Sequence, residues 1–259
     1  MLSIEEIKKQ YPSDIHKFER GLLREYLQFL ILEIIFSSDV STKLSFLGGT
    51  CLRIVYGIKR FSEDLDFDNK KLSSKEFVAL ANKIELELQR QGFDVETSVT
   101  AKKAIYCHVK FSNILFENKL SDIKTEKIDI QIDTFDQGYE YKPELYLLNK
   151  FNVFKQIRIT PKEIILSQKL WTITQRSKAK GRDFYDIIFL LQNTKPDMGF
   201  LNFKFGTSNW KEAREKILRG IRDIDLDSMV KDVQPFLIDI KEGEKIKYFR
   251  DYLKQIEIY

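Results

Sequence analysis

Two cysteines and two histidines in 259 residues withhold the material for several kinds of chemistry. Cys51 and Cys107 lie far apart and lack the C-x-x-C or Cys/His spacing of a zinc site. His16 and His108 are the whole imidazole supply, so a zinc site and Ser-His-Asp catalysis both lose their residues. Long apolar runs are missing as well. None approaches the roughly 20 residues of a spanning helix, and Met1 to Gln10 reads as a charged amphipathic helix, unlike a signal peptide. The expected setting is therefore reduced and cytoplasmic, with no membrane partner. Nor is there a large excess of one charge: 43 Lys and Arg against 39 Asp and Glu give a formal +4. Any nucleic-acid contact should be a local patch.

What is present is ample core material. Hydrophobic residues make up 43% and aromatics 13%, including 20 Phe and 11 Tyr, enough to offset the entropy cost of ordering the chain. Length permits one large or two modest domains. Helical spacing of apolar residues predicts helices over Ser3 to Gln10 and Ile15 to Phe36, and another opening at Ser73-Ser74-Lys75-Glu76 and closed by Gly92. A strand pair is expected around Phe93 to Val99 and Ala104 to Phe111. From Tyr139 to Lys150 the text loses periodicity. Thr160-Pro161-Lys162-Glu163 then starts a run of helical patterns: Glu163 to Gln175, Arg182 to Gln192, Trp210 to Gly220 and a last one around Glu244 to Ile256. The expected organisation is a domain over 1–155 and a helical bundle over 156–259.

The chemistry concentrates between Phe46 and Asp68, in FLGGTCLRIVYGIKRFSEDLDFD. Gly48-Gly49-Thr50 ends an apolar run and precedes a periodic one, which reads as strand, tight turn, helix, a place where backbone N–H groups can meet an anion. Asp64 and Asp66 stand two apart in an alternating run, so in a strand both carboxylates leave one face while Leu65 and Phe67 enter the core. Such a pair suits Mg²⁺, which takes oxygen ligands and completes its shell with water and substrate phosphates. Alone, each feature fits a turn or a solvated face equally well. Their order and the Arg60-Phe61-Ser62-Glu63 lead-in together point to a nucleotide site.

A second acidic strand is legible in KIDIQIDTF, Lys127 to Phe135, where Ile128, Ile130 and Ile132 alternate with Asp129, Gln131 and Asp133. Asp129 and Asp133 share the polar face, and either could supply a third carboxylate as base or metal ligand, or merely solvate that face. In the helical part, Lys169 lies mid-helix. The basic loop Ser177 to Gly181, with Lys178 and Lys180, leads into Arg182-Asp183-x-x-Asp186, whose two acids share a helix face. A cap and surface pairs would explain these residues. So would a lysine that holds a triphosphate and is oriented by Asp183.

Gly48-Gly49-Thr50, Arg60-x-Ser62-x-Asp64-Leu65-Asp66-Phe67, the strand at Lys127 to Ile130, Lys169 and Arg182-Asp183-x-x-Asp186 resemble, in that order, the AbiEii/AbiGii-type toxins of the nucleotidyltransferase superfamily. The blocks cover roughly residues 45 to 190. The resemblance implies an α+β fold: a polymerase-β-like mixed-sheet core followed by a C-terminal helical bundle. It implies Mg²⁺ (or Mn²⁺) on Asp64 and Asp66, with Asp129 preferred over Asp133 as the third acid. Gly48, Gly49, Thr50, Arg60 and Ser62 would line the nucleotide, and Lys169 and Asp183 would be the later catalytic residues. The implied activity is transfer of NMP from an NTP to the 3′ end of tRNA, by a toxin held in check by an antitoxin. Lys178 and Lys180 could receive the RNA backbone. Transfer to a protein hydroxyl or a small molecule, or nucleotide binding without turnover, are the competing readings.

Overall fold

In a computed structural model of the chain, residues 1–101 and 105–258 are described. Along the sequence the helices are α1 (Ile4–Lys8), α2 (Glu19–Phe36), α3 (Gly48–Ile54), α4 (Ser74–Arg90), α5 (Ile114–Glu117), α6 (Lys162–Gln175), α7 (Gly181–Leu191), α8 (Met198–Phe205), α9 (Trp210–Gly220), α10 (Leu226–Val233) and α11 (Phe249–Gln255). The strands are β1 (Leu44–Leu47), β2 (Leu65–Asn69), β3 (Val95–Ala101), β4 (Ile105–Phe111), β5 (Ile128–Phe135), β6 (Glu144–Lys150) and β7 (Val153–Ile159). Two compact units emerge. A sheet unit comprises Met1–Cys51, Ser62–Gly138 and Pro143–Ile159, and a helical unit comprises Leu52–Phe61, Tyr139–Lys142 and Thr160 onward.

The seven strands form one mixed sheet in the order β3-β4-β5-β2-β1-β7-β6, with β2/β5 and β1/β7 parallel and the other pairs antiparallel. Its apolar face follows from the period-two pattern: Leu65 and Phe67 of β2, Cys107 and Val109 of β4, and Ile128, Ile130 and Ile132 of β5 are all buried. The helices α2 and α4 pack in the same unit, with Phe67 between Phe36 of α2 and Phe46 of β1 at ring distances of 6.1 and 5.6 Å. Truncating Phe67 to Ala would cost about 3–5 kcal/mol through the cavity it leaves. The opposite face of the same strands is polar and carries the acids.

Helix signals in the sequence match closely. The reciprocal bonds of Ser73 and Glu76 start α4 as expected, and α9 spans Trp210–Gly220. The last predicted helix splits into a 3₁₀ stretch, Ile240–Tyr248, and α11. Two strands were not anticipated: β6 falls in the segment that looks aperiodic, β7 follows it, and residue 155 falls inside β7. The reason is position. β6 is an edge strand, with Leu145 and Leu147 60% and 46% exposed, so hydrophobicity does not alternate with burial there. Of the expected β3–β4 pair, Ala104 lies outside the described residues.

Candidate active site

β1 runs directly into α3 at Gly48, and Leu47 pairs with Asp66 in the antiparallel β1/β2 ladder. That pairing sets the acid against the turn. A Cβ on Gly48, which has φ +80°, would lie 2.0 Å from Asp66 Oδ2, so only glycine permits both the left-handed turn and this position of the carboxylate. The next residues hold the first acid. Buried Thr50 donates its hydroxyl to the Asp64 carbonyl, and buried Gln28 of α2 donates to the carbonyls of Ser62 and Glu63, both at 3.0 Å. Thr50 and Ser62, expected to line the nucleotide, are thus tied into the scaffold that presents Asp64, Thr50 by its hydroxyl and Ser62 by its carbonyl. Gln28 could have been noticed as the one amide inside the apolar stretch Leu22 to Phe36.

The strand register separates the two candidates for the third acid. In the parallel β2/β5 ladder Asp66 stands opposite Asp133, and Leu65 opposite Ile132. Asp129 lies four residues back along β5, roughly 13 Å at 3.3 Å per residue. Both acids share the polar face, which is why alternation could not separate them; only Asp133 neighbours Asp66. Gln131 donates to Asp133 Oδ2 at 2.8 Å. Asp129 has another partner, His108, whose Nδ1 lies 3.1 and 3.0 Å from its two carboxylate oxygens.

Among the described residues no three His, Cys, Asp or Glu side chains converge closely enough to hold a metal ion. The donor set nonetheless fits Mg²⁺, which commonly rests on one or two carboxylates and draws its other oxygens from phosphates and water. Asp64 and Asp66 are the two acids that could serve so. Both thiols are held protonated: burial pushes Cys107 up to about 12, and burial with the charges of Asp66 and Glu144 raises Cys51 well above its ordinary value.

The helical unit carries a separate charge cluster. Lys169 of α6 lies 2.9 Å from Asp183 Oδ1 and 2.7 Å from Asp186 Oδ2, both on α7, and Arg176 Nε is 3.2 Å from Asp183. Arg60 grips Asp186 in a bidentate fork of two 2.7 Å bonds and donates to the Phe61 carbonyl. With 2% of its side chain exposed, Arg60, expected to line the nucleotide, braces Asp186, and through it Lys169. Burial depresses the Lys169 ammonium, but Asp183 and Asp186 outweigh that and hold it above its ordinary value. Burial likewise raises Asp186, and Arg60 and Lys169 outweigh it and hold it low. Gly181 lets α7 start hard against α10: a Cβ there would meet the Met229 carbonyl at 2.0 Å. Lys178 and Lys180 are exposed in the preceding loop.

These features match one known family. The model described as nucleotidyl transferase AbiEii toxin, Type IV TA system, matches residues 30–255. The chain belongs to the AbiEii nucleotidyltransferase toxin family. It is a nucleotidyltransferase toxin of a type IV toxin–antitoxin system, which implies an NTP substrate and an antitoxin. No curated protein matches. Among solved structures, MenT4, a nucleotidyltransferase toxin from Mycobacterium tuberculosis H37Rv, is similar at TM-score 0.62 and 14% identity, covering 99% of this chain and 91% of its own. JHP933 from Helicobacter pylori is similar at TM-score 0.51 and 18% identity, covering 92% and 94%. Both share the fold, an α+β arrangement of mixed sheet and C-terminal helices. No helix among the described residues is long and apolar enough to cross a membrane.

Proposed function

We propose that this AbiEii toxin transfers NMP from an NTP to the 3′ end of tRNA in a Mg²⁺-dependent reaction, with Asp64, Asp66 and Asp133 as its acidic centre. The observation that carries the reading is the row Gly48–Asp66–Asp133: a turn that accepts no side chain beside two carboxylates on adjacent parallel strands. Asp64 and Asp66 would hold Mg²⁺, or Mn²⁺ in its place, which supplies charge stabilisation to the transferring phosphoryl group. Asp133 takes the proton as the acceptor hydroxyl oxygen attacks the α-phosphorus; the new P–O bond forms while the bond to pyrophosphate breaks, and pyrophosphate leaves. The backbone at Gly48-Gly49 faces the phosphates. Lys169 has three N–H donors, of which Asp183 and Asp186 take two.

An RNA acceptor is supported by the exposed Lys178 and Lys180, which suit a phosphate backbone. Incubating the protein with labelled NTPs, Mg²⁺, total tRNA and a nucleic-acid-free cell extract tests the assignment. Label on tRNA, lost with EDTA and with Asp66→Asn, is the expected result; label only on protein would replace the acceptor.

A further inference from the structure

Across the polar face of the sheet, the register forms a row Leu47–Asp66–Asp133–Tyr106–Thr100, and beside it His108 pairs with Gln131 on one side and Ser98 on the other. His108 is therefore two strands over from Asp66 and two residues along, about 12 Å away at the usual strand spacings. It is one of two histidines in the chain. Its ring is fixed from two sides. The carboxylate of Asp129 takes Nδ1, and the Tyr106 ring stands edge-on to it at 5.6 Å and 89°. Both groups keep access to solvent: the His108 side chain is 31% exposed and that of Asp129 42%. Arg24 anchors the same strand by donating to the Asp129 carbonyl.

A carboxylate only accepts, so Nδ1 must be the donor, and in the neutral imidazole Nε2 is left as an acceptor on the far side of the ring. An oriented acceptor on a half-exposed sheet face beside the acidic row suits a hydroxyl donor. The phenol ring of Tyr106 and the ammonium of Lys110, which pairs in register with Asp129, complete a surface with the mixed aromatic and cationic character that single-stranded RNA uses.

We propose that His108, held by Asp129, binds the acceptor RNA by accepting a hydrogen bond from a ribose 2′-hydroxyl within its last few nucleotides, so that the β4–β5 face selects ribose over deoxyribose. This rests on the RNA-acceptor reading above. His108 is a specificity residue and Asp129 its positioning residue, which gives the displaced acid a task.

The probe is a synthetic RNA hairpin with a four-nucleotide 3′ overhang, made all-ribose or with a single 2′-deoxy substitution at each of the last three positions, with the 3′-hydroxyl intact. With wild-type enzyme, one of the deoxy substitutions should raise the acceptor KM about 3–10-fold, the loss of one hydrogen bond. His108→Ala should show the same rise on the all-ribose hairpin and no further rise with that substitution, while the KM for NTP stays unchanged. Asp129→Asn should shift the acceptor KM in the same direction, and His108→Gln, which returns an acceptor oxygen near Nε2, should recover part of the loss. A wild-type acceptor KM in His108→Ala, or undiminished discrimination at all three positions, overturns the proposal while the RNA-acceptor reading stands. Wild-type label on protein and on no RNA overturns both.

Discussion

Asp66 and Asp133 lie half-exposed on neighbouring strands of the sheet, whereas Asp186, in the helical unit, is wholly buried between Arg60 and Lys169. The two arrangements carry negative charge in opposite ways. On the sheet, like charges stand side by side, a placement that costs stability and that a cation would relieve. In the helical unit every buried carboxylate has a cation in contact, so the charge is neutralised within the protein before any ligand arrives. Substitution should therefore separate function from stability in one region and bind them together in the other.

The largest effect is expected in the buried cluster. Arg60→Ala takes the two-bond partner from buried Asp186 and leaves it Lys169 alone, and should destabilise the protein by about 3 kcal/mol. Urea unfolding measures it; a loss below about 1 kcal/mol would mean that water reaches Asp186 and that the contrast is false. On the sheet, Asp66→Asn should reduce Mg²⁺-dependent transfer on the order of 10²-fold or more, because the metal contributes several kcal/mol of transition-state stabilisation. Its melting temperature should fall by less than that of Arg60→Ala, since repulsion with Asp133 is removed. A fall in stability matching that of Arg60→Ala would erase the distinction.

The smallest effect is the pH response of the helical unit. Asp186 is held below its ordinary value of 3.8, so its contribution is fully present above that pH and is lost as pH falls through the lowered value. Lys169 is held above 10.5, so its contribution is present below that pH and is lost as pH rises through the raised value. Between about pH 5 and 9 the cluster should add a constant amount. Denaturant midpoints across pH should fall at the acid end in wild type and less steeply in Asp186→Asn; parallel acid limbs would detach Asp186 from the response.

Much of this was legible in the chain because it is local. Asp64 and Asp66 share a face by alternation, Gly48 announces the turn, and Lys169 with Asp183 and Asp186 follows from helical spacing. What escaped is pairing between distant segments. Asp129 and Asp133 satisfy the same period, and only the register against Asp66 distinguishes them. Arg60 looks like part of the nucleotide motif because it precedes Ser62, yet its partner Asp186 lies 126 residues on. β6 was missed because an edge strand need not bury alternate residues.

The neighbour relation of Asp66 and Asp133 is the central claim, and steady-state kinetics of Asp133→Asn beside Asp129→Asn test it most directly. With labelled NTP and an RNA acceptor at saturation, Asp133→Asn should lose about 10²–10⁴-fold in kcat, as for a lost general base, with little change in NTP affinity. Asp129→Asn should keep kcat within about tenfold, its defect confined to acceptor KM. A kcat collapse in Asp129→Asn with near-normal turnover in Asp133→Asn would contradict the assignment.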